Sequence, residues 1–356
     1  MISDKAKNAI LTLSDDLDTA LSLSQSLDEF LQEGLMDIDS DQLDSEAAFL
    51  HIEREDYYRD RLLLELGCDE KQMRKLARNR RLVVKELAGQ DYADRPFIRA
   101  LQGVSIDQRE YHLYPLEFQP LESFLLTDVN SSLENGHFST ETTLGYFLDK
   151  QIFPALRRGR RIWMSGTPYE FATMDPFIEE AHGKVLTLGL GMGYFATESL
   201  RKKEVTSVTA IDNSSEVIAL FQKQIEPRIG LPRRVQIIQG DAWEYLQLHG
   251  REFDYIFADL WHDEIDGTPM LIKLEQMGRT IDREIKCWIA PTMLTFIREN
   301  AIQALTLLAT GETPEPIDGP LVAKLFNLYA KEDFTAPDDV YKALQDSSLT
   351  GILASL

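Results

Sequence analysis

The chain has 356 residues, enough for about two domains and a sizeable core. Its formal net charge is −22, with 59 acidic side chains against 37 Lys and Arg, so nucleic acid and anionic membrane surfaces are repelled over most of its surface. No apolar run reaches the ~18 residues of a membrane span, Met1-Ile2-Ser3-Asp4-Lys5 has no apolar signal core, and Cys68 and Cys287 lack metal-ligand spacing, which together point to a reducing, cytoplasmic location without a metal site.

Residues 1–106 read as an acidic, helical N-terminal domain. Ile10, Leu13, Leu17, Ala20, Leu27 and Leu31 fall on a three-four spacing interrupted by Ser24, one apolar stripe of an amphipathic helix. The first reading is a helix packed on its own domain; the second is a short seam joining two copies of the chain as a homodimer. Asp37-Ile38-Asp39-Ser40-Asp41 lacks the mid-loop glycine and terminal glutamate of a calcium loop and reads as a solvated acidic turn. Helices are predicted from Ser45 to Leu66 and from Asp69 to Ala88. The second carries Lys71, Arg74, Lys75, Arg78, Arg80, Arg81 and Lys85, the densest positive stretch, which suits packing on acidic helices or holding a carboxylate-bearing substrate better than RNA.

Residues 107–165 form a junction of different texture. Two prolines among the aromatics of Tyr111 to Leu126 predict irregular or edge β structure. A helix is predicted from Thr140 to Leu156, then Arg157-Arg158-Gly159-Arg160-Arg161 and a short strand Ile162-Trp163-Met164. Thr167-Pro168-Tyr169-Glu170 has the pattern of a capping box with Pro at the first helical position.

From Lys184 to Leu188 a β-branched and apolar run enters the turn Gly189-Leu190-Gly191-Met192-Gly193 and leaves as a helix, a strand-turn-helix unit whose glycines permit positive φ and whose helix N-terminus presents free N–H groups. Strands follow at Ser207 to Asp212, Val235 to Asp241 and Phe253 to Asp259, each ending in an acid. Near-continuous apolar strands alternating with helical patterns predict a parallel sheet covered on both faces, so the three acids converge on one cleft at its carboxyl edge. The expected fold class is α/β, a Rossmann-like, doubly wound, mostly parallel sheet preceded by the helical domain.

Taken together, these residues, from about Gly166 to Pro291, resemble the class I S-adenosylmethionine (SAM) dependent methyltransferases. The glycine turn and the strand-end acids carry the resemblance jointly, a more specific signal than a lone glycine motif. It implies a SAM-binding domain over residues 166–305 and a helical extension over 306–356. Gly189, Leu190, Gly191, Met192 and Gly193 would then pack against the methionine and ribose of SAM. Asp212, with Asn213 beside it, would take the ribose hydroxyls, Asp241 the adenine amino group with the Ala242 N–H on a ring nitrogen, and Asp259 would face the transferred group. Tyr169 and Glu170, at the start of the preceding helix, are further cofactor candidates. Asp241-Ala242-Trp243-Glu244 is also a capping box, and a capping carboxylate can keep its second oxygen for ligand. Most family members carry an acid where Thr187 stands; the spermidine synthases also lack it. The third glycine of a dinucleotide motif would fall at Tyr194 and falls at Gly193 instead, so SAM or S-adenosylhomocysteine is expected to bind and NAD is not.

The loop Asp259-Leu260-Trp261-His262-Asp263-Glu264-Ile265-Asp266-Gly267 makes a negative, partly aromatic rim suited to a small cationic or amine substrate, with Trp261 as its contact. Methyl transfer requires a positioned lone pair and a proton acceptor, for which Asp259, His262 and Asp263 are the candidates. The bland reading is a solvated acidic loop with Trp261 buried. An alternative chemistry is aminopropyl transfer from decarboxylated SAM or aminocarboxypropyl transfer, as in spermidine and nicotianamine synthases. The spermidine-synthase pattern Asp-Ser-x-Asp-Pro is replaced here by Asp259 followed by Leu260-Trp261-His262. A SAM-binding protein without turnover is a third reading. Beyond a helix reaching Asp282 and a fifth strand Ile285 to Ala290, helices are predicted at Phe296 to Leu308, Pro320 to Tyr329 and Asp338 to Gln345, where the family adds an antiparallel strand pair.

Overall fold

A computed structural model describes residues 1–33, 38–68, 82–231 and 233–353. It opens with α1 (Asp4–Glu33), α2 (Ser40–Leu50) and α3 (Arg54–Glu65). The apolar stripe of α1 is covered by its own chain: Ile10, Leu13 and Leu17 lie in the main core, and Leu27 joins a smaller cluster with Leu43, Tyr58 and Leu62. The acidic turn before α2 is a capping box in which Asp39 accepts from the Gln42 N–H and the Gln42 side chain bonds back to Asp39.

The basic stretch from Lys71 to Arg81 lies outside the described residues. The rest of the helix predicted there is instead β1 (Leu82–Glu86), with the β-branched Val83 and Val84 inside it, followed by two short helices, α4 (Gly89–Ala93) and α5 (Pro96–Leu101). Next come β2 (Ile106–Gln108), β3 (Tyr111–Phe118), β4 (Phe124–Leu125), β5 (Asn130–Glu134), β6 (His137–Tyr146), β7 (Gln151–Arg158) and β8 (Arg161–Ser165). Two strands, β6 and β7, thus replace the helix predicted from Thr140 to Leu156. Thr140, Thr142 and Thr143 are β-branched, and Pro154 would break a helix interior. β1 pairs with β6 in parallel, β4 and β5 pair with β6 antiparallel, and β2-β3-β7-β8 form an antiparallel sheet. Tyr92, Phe118, Phe124, Phe147 and Phe153 interlock at centroid separations of 4.7–6.0 Å, so the aromatics here are mostly core.

The remaining elements are α6 (Pro168–Glu180), β9 (Gly183–Leu188), α7 (Tyr194–Arg201), β10 (Val205–Asp212), α8 (Ser215–Leu220), which runs through a π turn into α9 (Glu226–Ile229), β11 (Gln236–Gln239), α10 (Ala242–His249), β12 (Tyr255–Ala258), α11 (Glu264–Ile281) and β13 (Lys286–Cys287). Their sheet has the order β11-β10-β9-β12-β13 with every pair parallel, as the apolar runs predict. The chain winds outward from β9 through β10 to β11, then returns to β12 on the other side. The switch point therefore falls between β9 and β12, where an open α/β sheet leaves a crevice at its carboxyl edge. After β13 the described residues form only helices of any length: α12 (Ala290–Thr310), α13 (Gly319–Tyr329), α14 (Pro337–Ala343) and α15 (Asp346–Leu353). α1 packs against α12 and α14, so both ends of the sequence cover the same flank.

Candidate active site

The switch point is built by backbone first. Gly189 N–H donates to the Ile211 carbonyl (2.8 Å) and Asp259 N–H to the Leu188 carbonyl (2.9 Å), which draws the ends of β9, β10 and β12 together. Gly189 has φ +94, and a Cβ there would stand 2.0 Å from the Asp259 carbonyl oxygen; at Gly193, φ +82, it would stand 2.1 Å from the Phe221 ring. These glycines are thus required by the protein's own close packing as well as by any approaching ligand. Asp212 braces the turn: one carboxylate oxygen accepts the Leu190 N–H (3.1 Å) and the other the Ser214 N–H (2.8 Å). Burial pushes its carboxyl up from the usual range, and these backbone donors oppose the shift.

A cleft of about 730 Å³ opens above this edge. Gly189 to Gly193, Asp212, Asn213, Asp241, Ala242, Tyr169 and Glu170 all line it, together with Asp259, Trp261 and His262; Asp263 does not. Asp241 caps α10 through one oxygen, which accepts from Trp243 N–H (2.7 Å) and Glu244 N–H (3.0 Å), and its other oxygen takes no hydrogen bond among the described residues. The Thr167 capping box does not form. The Thr167 side chain makes no cap bond, and the Ser165 hydroxyl lies between Thr167 (3.1 Å) and Glu170 (3.5 Å).

Two acids form the floor. Burial, with the Asp212 charge adding to it, pushes Asp259 up to about 7. Burial, with the Asp259 charge adding and Ser165 donors opposing, pushes Glu170 up to about 8. Neither has an ion-pair partner among the described residues. Burial also raises the Tyr169 hydroxyl, reinforced by Asp128, Glu170, Glu264 and Asp259. A positive group entering this floor would favour the ionised carboxylates and so be held by them.

The loop after β12 is ordered by its own acids. Asp263 caps α11, accepting from Ile265 N–H (3.1 Å) and Asp266 N–H (3.0 Å), and its other oxygen stands 3.8 Å from Arg161. Asp266 returns bonds to the His262 and Asp263 N–H groups and meets the His262 Nδ1 at 3.2 Å. Although partial burial pushes Asp266 up, these donors hold its carboxyl below the ordinary range. His262 is fixed from its other side by the Trp163 edge, 4.2 Å between centroids. Trp261 is buried at 5% exposure, and its Nε1 has no partner among the described residues.

The wall opposite the glycine turn carries no functional mark in the sequence. Trp163 and Met164 come from β8, and the Met164 sulfur is what a Cβ at Gly191 would meet at 2.9 Å. Trp288, whose Nε1 donates to Thr173 (2.9 Å), packs its ring toward Tyr169 at 6.2 Å. No local pattern ties these residues to the turn; tertiary pairing alone brings them there.

Residues 185–274 match a family model described as a methyltransferase domain. Among solved structures, a Streptococcus mutans protein assigned as a SAM-dependent methyltransferase matches at 17% identity and a TM-score of 0.27. That match covers 43% of this chain and 38% of the other, well under two thirds of its length. No curated protein matches the sequence.

Proposed function

We propose, from the methyltransferase-domain match over residues 185–274 and the strand-end site, that this chain is a class I SAM-dependent methyltransferase that transfers the methyl group of SAM to a small amine or other cationic acceptor. The observation that carries the reading is the pair Asp259 and Glu170, two half-buried carboxylates without a cationic partner among the described residues, beside the glycine turn. The site residues fit SAM. Asp212 keeps lone pairs for ribose hydroxyls after bracing the turn, and Asp241 keeps one whole oxygen for the adenine amino group. When bound, SAM supplies a methyl group on a positively charged sulfur.

Asp259 would orient the acceptor nitrogen and take its proton, and a carboxylate near neutrality is suited to that exchange. The buried Trp261, with Trp163 beside His262, would exclude water from the reacting centre and favour a cation against an aromatic wall. His262 has its Nδ1 occupied by Asp266, which leaves its Nε2 as the second proton acceptor. Asp263 is assigned to capping α11.

A second reading, aminopropyl or aminocarboxypropyl transfer, is supported at Thr187, where the acid is missing as in the spermidine synthases and the buried hydroxyl donates to the Gly189 carbonyl (3.0 Å). Incubating the protein with an amine panel and SAM labelled separately in methyl and carboxyl positions tests both. Methyl label in product is the expected result. Carboxyl label in product would replace it by aminocarboxypropyl transfer, and a parallel incubation with decarboxylated SAM reads aminopropyl transfer. Binding of SAM without any product would leave a non-catalytic binder, and tighter binding of NADH than of SAM and S-adenosylhomocysteine would reject the cofactor assignment.

A further inference from the structure

Arg157-Arg158-Gly159-Arg160-Arg161 belongs to no part of the cofactor motif, yet the fold brings it to that site's mouth. Gly159, at φ +61, turns β7 into β8, beside the β2–β3 turn at Arg109-Glu110. Between the two turns lies a recess of about 590 Å³ lined by Arg109, His112, Arg157, Arg158, Arg161 and Trp163, with one acid, Glu110, among them. Arg158, Arg161 and Trp163 also line the cofactor cleft, so the recess adjoins it.

In a chain of net charge −22 these guanidiniums are incompletely neutralised. Arg109 pairs with Glu216, Arg158 with Glu110 (2.7 Å), and Arg161 stands 3.8 Å from Asp263. Arg157 and Arg160 have no carboxylate partner among the described residues. Two of the guanidiniums lie over aromatic rings, Arg157 over Tyr114 at 5.4 Å and Arg158 over Trp163 at 5.4 Å. Arg157, held over a ring and without a carboxylate among the described residues, keeps its N–H groups for an oxyanion, which a guanidinium meets in fork geometry. Arg109 holds φ 54, a left-handed conformation uncommon for a bulky side chain, so its backbone is kept at the rim against its own preference.

We propose that this recess is a second subsite for the acceptor, binding a carboxylate or phosphate group on the same molecule whose nitrogen faces Asp259. The inference rests on the amine-acceptor reading and narrows it: the acceptor is an amine with an anionic tail. Acids at the floor and arginines at the mouth align such a molecule in one direction. They also disfavour a plain diamine, whose far cation would meet the arginines.

Calorimetry on the full chain saturated with S-adenosylhomocysteine, comparing ethanolamine with phosphoethanolamine and propylamine with β-alanine, tests this. The anionic tail is expected to tighten binding at least about 10-fold, the scale of one charge-assisted contact. Arg109→Gln with Arg157→Gln, both in the recess and outside the cofactor cleft, should abolish that advantage while leaving ethanolamine and S-adenosylhomocysteine affinities unchanged, and the double Lys variant should keep part of it. No advantage in the parent, or an advantage that survives the Gln variant, would overturn the proposal. So would displacement of phosphoethanolamine by a single-stranded RNA oligonucleotide with a steep salt dependence, which marks a polyanion surface. If neither amine binds, inorganic pyrophosphate titrated into the chain alone decides: binding in the parent that is lost in the Gln variant supports the subsite, and no binding in the parent overturns it. Absence of methyl transfer with pyrophosphate binding intact would count against the amine-acceptor reading alone.

Discussion

The two β regions that enclose the cleft hold it by different means. The parallel sheet of β9 to β13 is buried along its central strands β9, β10 and β12, exposed at the β11 edge, and reaches the ligand only through strand ends, so its contribution is a glycine turn and acids set by backbone hydrogen bonds. The antiparallel sheet of β2, β3, β7 and β8 buries one face in aromatics and gives the cleft side chains and hairpin turns, namely Tyr111, Arg158, Arg161 and Trp163. The first arrangement tolerates little change in backbone. The second can vary its side chains freely, and for that reason it is the place to look for what distinguishes this chain's acceptor.

Glycine substitution breaks or sharpens that contrast most strongly. Gly189→Ala puts a Cβ at 2.0 Å from the Asp259 carbonyl at positive φ, and it is expected to cost about 3 kcal/mol or more of stability by strain and overpacking together. Gly159→Ala in the β7–β8 turn meets nothing within 4 Å and should cost only about 1–2 kcal/mol for its left-handed φ. Urea unfolding of both variants checks the difference; equal losses would mean that the two turns are held alike.

Next in size is Asp259→Asn, which keeps shape while removing the charge at the floor. Turnover should fall on the order of 10²-fold at saturating SAM with cofactor affinity kept, as for loss of a positioned acid–base group. Parental turnover in this variant would transfer the role to His262.

The parallel region is legible in the sequence because its physics is local. Continuous apolar runs, glycines at fixed offsets and acids at strand ends mark each strand-turn-helix unit in turn, so the sequence alone is enough to bring Asp212, Asp241 and Asp259 to one edge. The antiparallel region is not legible in this way. Thr140 to Leu156 reads as helix although Thr142, Thr143 and Pro154 argue for strands, because its bend at Leu148-Asp149 carries no glycine and its long-range partners, β1 and β3, are invisible locally. Glu170 is visible as a candidate, but its charged neighbour Asp259 is a product of the fold. Trp163, Met164 and Trp288 enter the cleft through pairings far apart in sequence, and no motif announces them.

A smaller effect separates bracing from binding at Asp212. Its carboxylate holds the Leu190 and Ser214 N–H groups, so Asp212→Ala should lose about 1 kcal/mol of stability as well as about 1.5–3 kcal/mol of cofactor affinity. Calorimetric titration beside thermal unfolding reads the two separately. Unchanged affinity in the folded fraction would leave Asp212 with bracing alone.

The smallest expected effect is in pH, and its sign follows from the floor acids. Unfolded Asp and Glu titrate near ~4, whereas Asp259 is raised to about 7 and Glu170 to about 8. Between those values the folded chain holds protons that the unfolded chain has released. The stability these groups allow is therefore present in full below pH ~4 and is lost as pH rises through about 7 and 8. Without ligand, Tm should drop by on the order of a few degrees from pH 5.5 to 8.5. Asp128, raised to about 6, and Glu299, raised to about 7, push the same way from outside the cleft, so Glu170→Gln should lessen the fall throughout and remove most of what lies above about pH 7. A bound cation reverses the balance by favouring the ionised floor. SAM, whose sulfur is charged, should gain affinity over the neutral-sulfur S-adenosylhomocysteine as pH rises from 6 to 8.5, and Glu170→Gln should shrink that gain. Calorimetry of both ligands at the two pH values is the measurement; an affinity ratio independent of pH would show that the floor does not sense the sulfonium, and that Asp259 and Glu170 face the acceptor instead.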